Sequence, residues 1–166
     1  MQHTSPQLAV FDDLTSDQVN NLMGIMKIYQ FPKEFVIFNQ GDAACSMYIL
    51  LNGEVKIIHK LYDDDGPPMN VATIMPGGVF GWSAALRRDS YTATASTTCP
   101  SSAYRIHYAD LYHFYHKDSQ TGNIYLKNLA SVITNRLHNT HTEIYAILNQ
   151  GMNEEATDND SGSSKP

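Results

Sequence analysis

The chain has 166 residues, 42% of them hydrophobic and 17% charged, enough for one well-buried core and short for two. Its formal charge is −6 with the histidines neutral, and residues 149–166 alone carry four acids against Lys165; neither part offers the basic footprint of a nucleic-acid binder. Cys45 and Cys99 provide no disulfide framework and no zinc spacing, and no run approaches the roughly 18 apolar residues of a membrane span.

Met1–Val10 is polar and lacks a cationic segment followed by an apolar one, so no secretory leader is expected and the default is a soluble cytoplasmic protein. Residues 1–10 and the Gly/Ser/acid-rich 149–166 read as disordered ends flanking a domain over 11–148. Thr15 with Gln18 forms a capping-box pattern, and Val19, Leu22, Met23 and Met26 follow at helical spacing. Tyr29–Phe31 and Pro32 close that helix, with Phe11 and Leu14 as staple residues ahead of it.

From Phe35 the period changes to that of strands. Phe35–Phe38, Met47–Leu51 and Glu54–Lys60 are short β-rich runs, and Asn52-Gly53 between the last two predicts a hairpin with a type I′ turn. Asp63–Pro68 reads as a longer hairpin tip. Strand character returns at Asn70–Met75, Tyr91–Thr97 and Ala103–His107, the last two joined by a turn at Thr98–Ser101. Many short strands with turn chemistry between them indicate a sandwich, barrel or jelly roll.

A short helix around Ala109–Tyr115 leads into a longer one from about 120 to 148. Along it Leu126, Ala130, Ile133, Leu137, Thr140, Ile144 and Ile147 alternate spacings of four and three, a heptad seam with one polar step. Such a stripe packs on the β domain or pairs with a second copy, and the pattern fits either.

The order helix, β-roll, Gly-rich apolar segment, two strands and long helix joins three local strings, namely Val36–Asp42, Met47–Val55, and Pro76–Gly81 followed by Thr92-Ala93-Thr94. Together they resemble the cyclic-nucleotide-binding domain of the bacterial catabolite-activator (Crp/Fnr) family, over about residues 11–148. The resemblance implies a mainly β fold with flanking helices: a double-stranded β-helix, or jelly roll, plus a long C-terminal helix.

It also makes 80–95 a phosphate-binding cassette. The local physics agrees: Gly81 admits close backbone approach, and Trp82–Leu86 reads as one helical turn whose first amides could face an anion. Ser83 and Thr92 add hydroxyl donors. The ligand contacts implied are Phe80, Gly81, Trp82, Ser83, Ala84, Arg88, Tyr91 and Thr92, with Thr140 and His141 reaching the base from the long helix. The ligand expected is a small anion, cAMP or cGMP.

Two positions depart from the family. Trp82 stands where a glutamate accepts from the ribose hydroxyl, and Tyr91 stands where an arginine pairs with the cyclic phosphate. Losing one charge-assisted hydrogen bond of about 1.5–3 kcal/mol weakens binding about 10- to 150-fold. Arg87 and Arg88 lie in the preceding loop and either replace that charge or, flanking Asp89, are simply solvated. Trp82 either stacks on the ligand or plugs the pocket.

No DNA-reading domain is expected after the long helix, so output would pass through a homodimer (Leu126, Ala130, Ile133, Leu137, Ile144, Ile147) or a separate effector protein. Lone His59 and His107 and the helical pairs His113/His116 and His138/His141 give no cupin pattern, and no metal, cofactor, catalytic residue or enzyme activity is expected. The reading is a stand-alone ligand-sensing module acting through its long helix. The alternative is a degenerate dimerisation or interaction module in which Trp82 and Tyr91 fill the pocket.

Overall fold

The computed structural model describes residues 8–60 and 67–138. The expected contacts Thr140 and His141, the seam positions Ile144 and Ile147, most of the tip at 63–68, residues 1–7 and the tail 149–166 lie outside the described residues. Ala9–Phe11 form one 3-10 turn with Val10 fully buried. The Asn128 amide donates to the carbonyls of Val10 (3.3 Å) and Asp12 (2.6 Å).

Helix α1 spans Ser16–Met23 and carries the expected box: Thr15 Oγ1 accepts from the Gln18 amide at 3.3 Å, and Gln18 Oε1 from the Thr15 amide at 2.9 Å. It stops at Gly24, short of the expected end at Tyr29–Phe31. Met26–Phe31 is instead strand β1, paired antiparallel with the later strand at 101–107 from Met26↔Ile106 to Phe31↔Ser101. Met26 sits at helical spacing from Leu22, but a ladder with a distant strand overrides that local pattern.

The remaining strands are β2 (Val36–Phe38), β3 (Ser46–Asn52), β4 (Val55–His59), β5 (Met69–Ile74), β6 (Val79–Phe80), β7 (Thr94–Thr97) and β8 (Ser101–His107). They form two four-stranded antiparallel sheets, β1-β8-β3-β6 and β2-β7-β4-β5, the two faces of a jelly roll. The fold class read from the sequence is therefore the one found.

Asn52-Gly53 is not a hairpin. β3 and β4 belong to different sheets, and only Gly53 of the pair has positive φ (89°), so the dipeptide turns a corner of the roll. The β7–β8 connection turns the neighbouring corner. The two are stitched by Thr98 N–H to the Glu54 carbonyl (3.1 Å), Thr98 Oγ1 to Glu54 Oε1 (2.7 Å) and Glu54 N–H to Ser101 Oγ (3.2 Å). A Cβ on Gly53 would collide with Ser101 and the Pro100 carbonyl, which is why the corner takes glycine.

Between the sheets lies an aromatic core. Tyr48 and Phe80 stack at 5.0 Å, Phe38 and Tyr91 at 3.8 Å, and Phe31 meets Tyr48 edge-on at 6.4 Å. Val55, Ile57, Ile74, Ala95 and Ala103 complete it.

Helix α2 covers Tyr108–Lys117, and helix α3 occupies residues 119–132 after a break at Asp118. Asp118 caps α3, accepting from the Thr121 amide (3.1 Å) and Thr121 Oγ1 (2.6 Å). α3 buries Thr121, Tyr125, Asn128 and Leu129, while Leu126 is 41% exposed and Ala130 is exposed. Residues 133–138, in a second compact unit, are also helical, with Ile133 half-buried and Leu137 50% exposed. No helix of the described residues is long and apolar enough to cross a membrane.

Candidate functional site

The cassette starts where β6 pairs with the middle of β3, Phe80 opposite Tyr48 and Val79 opposite Ile49. Gly81 then turns at φ 69°. A Cβ there would meet the Ser46 carbonyl at 3.0 Å and the Phe38 and Tyr48 rings at 3.2 Å. The glycine therefore lets this backbone pack against the aromatic core.

Residues 82–87 form the expected single turn. Ala84 N–H donates to the Gly81 carbonyl (3.2 Å), Leu86 N–H to Trp82 (3.1 Å) and Arg87 N–H to Ala84 (3.1 Å). The amides of Trp82, Ser83 and Ala85 have no acceptor among the described residues. That leaves a small anion-facing set, as a first helical turn does. Arg87 ends the turn at φ 54°, and Arg88 N–H returns to the Ser83 carbonyl at 3.0 Å.

The following segment is clamped to residues 41–46. Ala44 N–H donates to the Asp89 carbonyl (3.1 Å), Tyr91 N–H to Asp42 (2.9 Å) and Gly41 N–H to Tyr91 (2.8 Å). This clamp carries the Tyr91 side chain into the roll, where it is 5% exposed. Its hydroxyl donates to the Ser46 carbonyl at 2.6 Å and accepts from the Ser46 amide at 3.1 Å, and its ring lies flat on Phe38.

Burial raises the Tyr91 pKa, against the hydrogen bonds to the Ser46 and Cys45 backbone, which pull it down. Burial, reinforced by neighbouring Tyr91, lifts Tyr48 to about 12. Both phenols are neutral at physiological pH. The position the family gives to an arginine therefore carries no charge.

The expected contacts divide into three groups. Phe80, Ser83, Ala84 and Tyr91 are buried; Gly81 and Trp82 are half-buried; Arg88 and Thr92 are exposed. Phe80, Gly81 and Tyr91 converge on one aromatic cluster. Trp82 makes no ring contact with the described residues. The Thr92 carbonyl meets His59 Nδ1 at 2.9 Å.

Arg87, set by its backbone outside the roll, lies 5.5 Å from the Tyr112 ring centre, and neither it nor Arg88 makes an ion pair among the described residues. Sequence reasoning missed Phe38, Tyr48 and Ser46 as the residues that face the cassette. The signal available was the burial expected of the run Met47–Leu51. Among the described residues no group of His, Cys, Asp and Glu is arranged to hold a metal.

Residues 28–118 match the family model for the cyclic nucleotide-binding domain. No curated protein matches the chain in sequence. Among solved structures it resembles a cyclic nucleotide-binding domain from Methylobacillus flagellatus, with 20% identity and TM-score 0.75 over 82% of this chain and 75% of that one. It also resembles a putative cyclic nucleotide-binding protein from Geobacter metallireducens, with 26% identity and TM-score 0.66 over 78% of this chain and 92% of that one. The catabolite activator protein of Thermus thermophilus shares the fold at 20% identity and TM-score 0.69 over 84% of this chain, which spans 62% of that protein. With the family model covering more than half of its length, the chain belongs to the cyclic nucleotide-binding domain family.

Proposed function

We propose that the chain is a non-enzymatic regulatory module of this family, acting in the cytoplasm, whose interior no longer holds a cyclic nucleotide in the family's manner. The supporting observation is the Tyr91–Ser46 pair. In the family's manner a cyclic phosphate pairs with an arginine of the cassette. This position carries a neutral phenol whose hydroxyl is engaged by backbone and whose ring is stacked on Phe38. Trp82 removes the carboxylate that would accept from the ribose. Output then rests on contact surfaces: pairing of two copies through Leu126, Ala130, Ile133 and Leu137, and engagement of a separate effector protein.

One observation favours a second reading, in which cAMP or cGMP binds by an altered set of contacts. The open amides of Trp82, Ser83 and Ala85 are donors suited to an anion, with Arg88 and Thr92 exposed nearby in sequence. Equilibrium dialysis of labelled cAMP against the wild type and against Trp82→Glu/Tyr91→Arg separates the two. The first reading expects retention only by the double variant. Retention by the wild type at low micromolar nucleotide, lost on Arg88→Gln, would establish the second.

A further inference from the structure

Between the cassette turn and α2 lies an open cavity of about 310 Å³, lined by Ala84, Ala85 and Arg87 on one side and by Tyr108, Ala109, Leu111, Tyr112, His113 and Tyr115 on the other. None of the interior aromatics Phe38, Tyr48, Phe80 and Tyr91 lines it, so it is separate from the interior of the roll. Its walls are aromatic and apolar. The charged or titratable side chains on them are Arg87, His113 and three tyrosines, and no Asp or Glu faces it.

Among the described residues, two of these groups have no hydrogen-bond partner. Arg87 is exposed, and its guanidinium makes only the contact with the Tyr112 ring at 5.5 Å among the described residues. Its backbone, at φ 54°, is in a region that costs a non-glycine residue strain and persists where the surroundings fix it. The Tyr115 hydroxyl is buried and has no hydrogen-bond partner among the described residues, and burial raises its pKa, so it remains a donor. Buried hydroxyls are ordinarily satisfied, and this one, with almost no accessible surface of its own, lies behind the wall and does not face the cavity.

We propose that this cavity is a second ligand site, outside the roll, which takes a small aromatic carboxylate. The guanidinium pairs with the carboxylate and the ring body lies among Leu111 and the tyrosine rings. The volume is at the lower end of small-molecule sites, about 300 Å³, which suits a one- or two-ring acid. Ala84, Ala85 and Arg87 belong to the cassette turn itself, so occupancy acts directly on the segment that carries Trp82.

The test is amide-resolved NMR of the full chain titrated with naphthalene-1-acetate, and separately with the neutral naphthalene-1-ethanol. Saturable shifts are expected at Ala84, Ala85, Arg87, Ala109 and His113. Binding should weaken at least about tenfold for the alcohol, and by a similar factor for Arg87→Gln, because each removes the charge-assisted pair. Lys117→Gln, a cation at the end of α2 that does not line the cavity, should leave the affinity unchanged. Absence of saturable shifts at millimolar acid, shifts centred elsewhere, or equal affinity for Arg87→Gln would overturn the proposal. No nucleotide is present in this titration, so its outcome is independent of whether the roll binds one.

Discussion

The Tyr91 hydroxyl and the Ser46 backbone form a closed pair, with the phenol donating to the Ser46 carbonyl at 2.6 Å and accepting from its amide at 3.1 Å. One side chain thus satisfies both backbone groups of a residue at the start of β3.

Tyr91→Phe keeps the ring stack on Phe38 and strands both groups of Ser46, which is almost fully buried. The expected loss is about 1–3 kcal/mol of unfolding free energy, the cost of unsatisfied buried groups. Denaturant titration with an unchanged m-value checks it. A loss within error of zero would mean that the pair contributes nothing to the fold.

Gly81→Ala combines a positive φ with a Cβ pressed against the Ser46 carbonyl and two rings. It should cost about 1–3 kcal/mol, in the range of local backbone strain. If the variant melts with the wild type, the close approach of the cassette to the core is not real.

The two faces of the long helix should separate cleanly. Tyr125→Ala, at a fully buried position, should destabilise the monomer fold by about 3–5 kcal/mol. Leu126→Asp with Leu137→Asp alters half-exposed positions. It should leave circular dichroism intact while converting a sedimenting dimer to an 18.5 kDa monomer. A wild type that sediments as a monomer at tens of micromolar would remove the seam from the account.

Asp118 has its carboxyl pKa lowered, chiefly by the hydrogen bond from the Thr121 hydroxyl and then by the Thr121 amide. A lowered folded-state pKa means that its stabilisation is complete above the ordinary value of 3.8 and is lost as pH falls through the folded value. The wild type should therefore lose thermal stability more steeply than Asp118→Asn on acidification below that range. Parallel curves for the two proteins would contradict the assignment.

Tyr115→Phe removes the orphaned buried hydroxyl and should raise stability by about 1–3 kcal/mol in the ligand-free protein. A fall in melting temperature would show that the hydroxyl has a partner after all.

The fold was legible because most strands keep local apolar runs bounded by turn residues, and the Thr15–Gln18 box announces its own helix. Pairing was not legible. Nothing near Met26–Phe31 reveals that its partner is 101–107, so a helical spacing prevailed on paper. Asn52-Gly53 reads as a hairpin because the dipeptide encodes a turn, not the sheet its second strand joins. At the site, the sequence exposed the missing arginine at Tyr91. It could not show that the phenol finds Ser46, 45 positions away, because that contact exists only once residues 41–46 and 89–91 lie side by side.

The most direct test of the account is calorimetric titration of cAMP, and separately cGMP, into the wild-type chain. With Tyr91 closing the anion position, no saturable heat is expected up to millimolar nucleotide. Saturation by either nucleotide in the low micromolar range would contradict the account. It would show that the cassette holds a cyclic phosphate without its arginine.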